Sequence, residues 1–244
     1  MKILITGASS GIGEELARLY AVKENELYLL ARREDRLQKL KSELANHAKA
    51  VKIIVCDVSE FDKLQQKMRE LDEIDMVILN AGISLGHSLE ITPFDEFKRL
   101  YDVNILSNHA ILEILLPRFL EKKNGKIVFI SSLASLFSMP SSKVYSSSKR
   151  ALNAYAEGLR YKYESHGIKV INILPGFIKS ELTDKNKFYM PFLLDTHTGA
   201  VAIKKAIDKN KKFYAFPFRF YFLIKLFLSL PPFLKHRVIK VLFK

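Results

Sequence analysis

The sequence predicts an α/β fold: a doubly wound parallel sheet with helices on both faces, three layers in a single domain. Short runs rich in Ile, Leu and Val alternate several times with longer segments of helical period, and a β, α, β, α order builds parallel sheets. Those runs lack the polar alternation of a half-exposed strand, as expected where helices cover both faces. The 244 residues, 48% of them hydrophobic, suffice for one sizeable core.

Taken in order, "KILIT" reads as a strand before a helix starting near Ile12. "ELYLLA" precedes the helical "REDRLQKLKSELANHA", and "VKIIVCD" precedes "SEFDKLQQKMREL". "DMVILN", "GKIVFIS" and "KVINILPG" supply the later strands. Two long helices fill the middle, from about Phe94 to Lys122 and from about Tyr145 to Ser165. Pro117 interrupts the first without having to end it, and Gly167 is a natural stop for the second. No repeat, low-complexity stretch or Pro/Gly linker divides the body. Residues 1–199 read as the main domain with a substrate loop, and 200–244 as an apolar and basic appendage, either part of that domain or a surface contact.

The net charge of +13 is unevenly placed. From Ala200 to Lys244 eleven Lys and Arg stand against one acid, Asp208, so the rest of the chain is nearly balanced. The tail's Leu and Phe content exceeds what phosphate contacts need, and no nucleic-acid partner is expected. The lone cysteine, Cys56, cannot form an intramolecular disulfide; its apolar neighbours place it in a strand, which fits a reducing compartment. A strand directly after Met1 leaves no room for a signal peptide, so a cytoplasmic location is expected. His87, His109 and His197 lack metal-ligand spacing, and no metal site is expected.

After the first strand comes "GASSGIG", with Gly7, Gly11 and Gly13 at the turn into a helix. There a dinucleotide can lie with its pyrophosphate against the helix N-terminus. A P-loop is excluded, because Glu14 and Glu15 stand where it needs Lys and Ser or Thr. Tyr145 and Lys149, four residues apart, leave the same face of their helix.

The glycine turn, Asn80-Ala81-Gly82, Asn104, Ser132, and Tyr145 with Lys149, in this order, resemble the short-chain dehydrogenase/reductase family from Lys2 to about Leu182. The resemblance implies a Rossmann-like domain that moves a hydride between a nicotinamide and a carbonyl or alcohol. It implies that Thr6, Gly7, Gly11, Ile12 and Gly13 carry the coenzyme diphosphate, with Ser9 and Ser10 beside them. Asp57 and Val58 take the family's adenine contacts, and Asn80, Ala81 and Gly82 belong to the same coenzyme site. Pro175, Gly176 and Ile178 border the nicotinamide; Ser180 stands where the family usually has threonine. Ala31 occupies the place of the acid that would bond the ribose hydroxyls of NAD, and Arg32 and Arg33 follow it. The implied coenzyme is NADP(H), since arginine accommodates a 2′-phosphate.

The same resemblance makes Tyr145 the general acid or base and Ser132, rather than Ser131, the group holding the substrate oxygen. Asn104 positions a water that links Lys149 to solvent, and Lys149 bonds the nicotinamide ribose. A free phenol titrates near 10, and a nearby ammonium should lower that value. Phe188, Tyr189, Met190 and Phe192, in the loop beyond Leu182, fit either an apolar substrate or simple packing. The resemblance further implies a homodimer or homotetramer, formed as in that family by pairing the two long middle helices.

The stretch from 213 to 244 mixes aromatics and leucines with Arg219, Lys225, Lys235, Arg237, Lys240 and Lys244. Arg219 and Lys225 keep its apolar runs short of the ~18 residues of a spanning helix. It reads as a peripheral contact with an anionic membrane at its inner face, or as a cover for the pocket or a subunit contact. The rival reading of the whole chain is a non-catalytic NADP-binding sensor or scaffold at a membrane, against which Asn104, Ser132, Tyr145 and Lys149 together argue.

Overall fold

A computed structural model describes residues 1–86, 90–184, 186 and 188–242. Among these, seven strands form one sheet in the order β3-β2-β1-β4-β5-β6-β7. They are β1 (Lys2–Thr6), β2 (Glu26–Ala31), β3 (Ala50–Val55), β4 (Met76–Leu79), β5 (Gly125–Ile130), β6 (Ile168–Pro175) and β7 (Phe213–Phe216). Every pairing is parallel. The order turns back between β1 and β4, and the crevice beyond the carboxyl ends of strands at such a point is where α/β sheets hold ligands.

Alternate strand residues feed two cores. Ile3, Ile5, Ile78 and Ile173 pack under α1 (Gly11–Tyr20), α2 (Glu34–Leu44) and α7 (Thr196–Asp208). Leu4, Leu30, Val77 and Phe129 pack under α3 (Phe61–Arg69), α5 (Ser107–Glu121) and α6 (Lys143–Tyr163). This burial on both faces is why the strands read as continuous apolar runs. The predicted helix from Phe94 is α4 (Phe94–Tyr101) joined to α5 by a π-helical turn, Asp102–Leu106. Pro117 lies inside α5.

Residue 200 falls inside α7, whose Ala200, Ile203, Ala206 and Ile207 are fully buried. Phe213–Phe216 is the edge strand, in register from Asn172↔Phe213 to Pro175↔Phe216. Four aromatic-rich residues behind a run of lysines carry too little pattern to be separated from the basic tail by eye. Only α8 (Phe218–Ser229) and α9 (Pro232–Leu242) extend beyond the sheet layers. The inner side of α8 joins Leu133 and Leu174 through Phe220 and Ile224. Among the described residues, no helix is long and apolar enough to cross a membrane. Lys244 and His87 lie outside the described residues.

Candidate active site

A cavity of about 900 Å³ opens at the carboxyl ends of the central strands. Gly7, Ser9, Ser10, Gly11 and Ile12 form its floor at one end. Gly7 (φ +68°) and Gly11 (φ +57°) lie in the left-handed region that side chains disfavour. No side chain caps the first turn of α1, which leaves its amide N–H groups available to an anion.

Two residues of the motif have a different place. Thr6 and Gly13 are absent from the cavity wall. The Thr6 hydroxyl accepts from the amides of Asn80 (3.0 Å) and Ala81 (2.9 Å), and Asn80 Nδ2 donates to the Thr6 carbonyl at 3.0 Å. A Cβ on Gly13 would lie 2.3 Å from the Gly7 carbonyl oxygen and 2.5 Å from Asn80 Nδ2. Both residues stitch the turn after β1 to the loop after β4, so they shape the cavity floor without lining it.

Arg32, Arg33, Asp57 and Val58 line the next part of the cavity. Arg33 is pinned to the glycine turn: Nη2 donates to Ser10 Oγ at 2.7 Å, and Nε and Nη2 each donate to Ser9 Oγ at 3.2 Å. Arg32 reaches Asp57 at 3.3 Å. Burial disfavours the Asp57 carboxylate, but the Ser59 amide and hydroxyl together with Arg32 outweigh it and keep the carboxyl below its ordinary range. Cys56 also borders the cavity; it follows β3 instead of lying within it, and burial pushes its thiol up. This favours the protonated, unreactive form.

At the other end Ser132, Tyr145, Lys149, Pro175, Gly176, Ile178 and Ser180 converge with Asn80, Ala81 and Gly82. The Ser132 hydroxyl is hydrogen-bonded to the Tyr145 phenol and accepts from the Ala134 amide at 3.1 Å. Ser131 is instead buried, with its hydroxyl on the Lys149 carbonyl at 3.3 Å. Lys149 is 4% exposed, and its ammonium donates to the Ile130 carbonyl at 3.0 Å. That ammonium stands 5.8 Å from the Tyr145 ring centre. Burial pulls Lys149 down to about 8. Burial likewise pushes Tyr145 up to about 12, and only the Ser132 bond opposes it. The direction for Tyr145 is thus the reverse of the one expected from a neighbouring ammonium, with desolvation as the largest cause.

Asn104 is fully buried in the π turn and does not line the cavity. Its side chain accepts from the Ile83 amide (2.9 Å) and donates to the Ile83 carbonyl (3.1 Å) and Ser148 (3.1 Å). It clamps the loop after β4 onto α6, while a Cβ on Gly82 would sit 3.4 Å from Asn104 Oδ1 and 3.5 Å from Lys149 Nζ.

Of the loop residues, Phe188 and Tyr189 line the cavity; Met190 and Phe192 do not. Phe192 packs on Phe220 with ring centres 5.8 Å apart. His109 pairs with the Tyr155 hydroxyl and His197 with Glu15, and the described residues hold no metal-binding cluster. Phe220 and Ile224 of α8 line the cavity, in line with the reading of the tail as a cover for the pocket; sequence reasoning did not single out these two residues, for which their i, i+4 spacing was the available signal. It also missed Arg36 and Glu181, which form an ion pair at the mouth.

A parallel sheet with an uncapped helix start, facing a Ser, Tyr and Lys cluster across one cavity, is the architecture of a doubly wound α/β protein. The pattern of the short chain dehydrogenase family matches residues 1–188, and the chain belongs to that family. It is 36% identical over 244 residues to an uncharacterized oxidoreductase of Mycobacterium tuberculosis, covering 97% of this chain and 96% of that one. It is 34% identical to an uncharacterized oxidoreductase of Myxococcus xanthus, covering 88% and 87%. A short-chain dehydrogenase from Sphingobium yanoikuyae, solved in complex with NADPH, shares the fold with a TM-score of 0.83 at 24% identity over 95% of this chain and 96% of that one.

Proposed function

We propose that the protein is an NADP(H)-dependent oxidoreductase acting on the carbonyl or alcohol group of an apolar small molecule. The convergence of Ser132, Tyr145 and Lys149 on one wall of a largely apolar cavity supports this reading most directly. The residues fit a dinucleotide: glycines in left-handed conformations, an uncapped helix start, and arginines beside the turn. The bound coenzyme supplies or accepts the hydride. Tyr145 holds the proton at its hydroxyl and delivers it to the substrate oxygen, while Ser132 donates to that oxygen as charge grows on it. Lys149 places a cation beside the phenol, where it would also hold the nicotinamide ribose of a bound coenzyme. Asn104 acts from behind, fixing the loop that carries Gly82. Phe188, Phe220 and Ile224 exclude water and favour an apolar substrate. Following NADPH oxidation across aldehydes, ketones and lipid-derived carbonyls tests the assignment; failure to turn over any of them would favour the sensor reading.

The coenzyme choice rests on Arg33, with Ser9 and Ser10 as its partners. Arg33→Ala is expected to lower kcat/KM for NADPH by about 30-fold, the loss of one charge-assisted contact, and to leave NADH nearly unaffected. Equal losses for both coenzymes would remove the 2′-phosphate role.

A homodimer or homotetramer fits the exposed Phe94, Phe97, Leu106 and Tyr161 on the central helices. The peripheral membrane reading is now confined to α8 and α9. Phe218, Phe222, Leu223 and Leu226 form an exposed stripe on α8, Phe233 and Val241 are exposed on α9, and Arg219, Lys225, Arg237 and Lys240 flank them. No acid follows Asp208, so the face complements an anionic bilayer. The protein is expected to sediment with phosphatidylserine vesicles at low salt; a protein left in the supernatant would exclude this contact and leave the stripe to a second subunit.

A further inference from the structure

The mouth of the cavity holds a bridge that the coenzyme assignment does not use. Glu181, on the segment beyond β6, reaches across the cleft to the start of α2. One carboxylate oxygen accepts from Arg33 Nη1 at 2.8 Å, and the other is paired with Arg36. Arg33 is thus shared between the glycine turn and an internal carboxylate. A guanidinium has a fixed fork of donors; those given to Glu181 are lost to any other anion. The carboxyl is held below its ordinary range by Arg36 first and Arg33 second, so it carries its charge at neutral pH.

We propose that Glu181 is a coenzyme-selecting residue, an internal anion that competes with the 2′-phosphate for Arg33, and that Arg36 is the positioning cation that draws it aside. This rests on the NADP(H) reading above. Seating a 2′-phosphate on Arg33 requires the Glu181 bond to be broken or shared, and places two anions on neighbouring cations. A coenzyme with a free 2′-hydroxyl makes no such demand. Glu181 therefore weakens binding of the phosphorylated coenzyme selectively and moderates a preference that Arg32 and Arg33 would otherwise set alone.

The test is a binding cycle with NADPH and NADH on the full chain, read by nicotinamide fluorescence, for wild type, Glu181→Gln, Arg36→Ala and the double variant. The three side chains are between 37% and 50% exposed, and pairs of that exposure carry a modest coupling, so Glu181→Gln is expected to tighten NADPH about three- to fivefold. NADH affinity stays level, and the gain shrinks in high salt. Arg36→Ala weakens NADPH where Glu181 is present and has no effect in the Gln background. An equal change for both coenzymes would make Glu181 a loop tether only, and weakening by Arg36→Ala in both backgrounds would make Arg36 a phosphate ligand; either overturns the proposal. Wild-type protein that prefers NADH would overturn the coenzyme assignment itself, whereas an NADPH preference untouched by Glu181→Gln would overturn only the role given to Glu181.

Discussion

Replacing Tyr145 with phenylalanine is expected to lower kcat for carbonyl reduction by about 10³-fold, the scale of losing a positioned proton donor, with coenzyme affinity retained. The substitution removes one oxygen from the cavity wall and little else. Ser132 keeps its bond to the Ala134 amide, and the ring keeps its packing. Burial pushes the phenol up to about 12, so at neutral pH the group is protonated and poised to donate. The reductive direction therefore meets Tyr145 in the required state, whereas oxidation of an alcohol first requires the phenolate. Reduction should run well at neutral pH and oxidation should gain with rising pH. Single-turnover rates for Tyr145→Phe separate this role from binding: unchanged chemistry would remove Tyr145 as the proton source, and a loss confined to KM would make it a substrate contact.

Where the sequence and the structure agree, burial or helical period made the pattern legible. The central strands β1, β2, β4 and β5 are buried on both faces for most of their length and read as apolar runs; the edge strand β3 keeps Lys52 exposed and was legible from its β-branched residues. The Tyr145 and Lys149 pair was legible because four residues span a little over one helical turn. What escaped depends on the third dimension. β7 is four residues long, and its partner β6 lies some forty residues earlier, so nothing local announces a strand. Thr6 and Gly13 sit in the glycine motif, yet their neighbours are Asn80 and the Gly7 carbonyl; a motif records that a residue type is needed without recording what it touches. Glu181 meets Arg33 across 148 positions. The sign of the Tyr145 shift was misjudged for a related reason, because spacing predicts that an ammonium is near and says nothing of how much water both groups lose.

Lys149 carries the second large expectation, which joins stability to function. Its amine is brought down from 10.5 to about 8 by burial, and its ammonium has the Ile130 carbonyl as partner at 3.0 Å. Below pH 8 folded and unfolded chains both hold the proton, and the fold bears the full cost of an ammonium out of water. Between about 8 and 10.5 the unfolded chain still binds a proton that the folded one has released, so wild-type stability rises with pH. Above that window the cost is gone. Lys149→Met, similar in length and uncharged, should therefore be more stable than wild type below pH 8 by about 2 kcal/mol, the desolvation cost less that of leaving Ile130 without its donor. The advantage should shrink to nothing by about pH 10.5. The same variant should reduce carbonyls at least 10²-fold more slowly, because the cation beside the phenol is gone. Thermal melts of both proteins across pH decide the matter. A variant less stable than wild type at every pH would mean that Lys149 is held for structure, and a stable, inactive one that a costly buried charge is kept at this wall for the chemistry it supports.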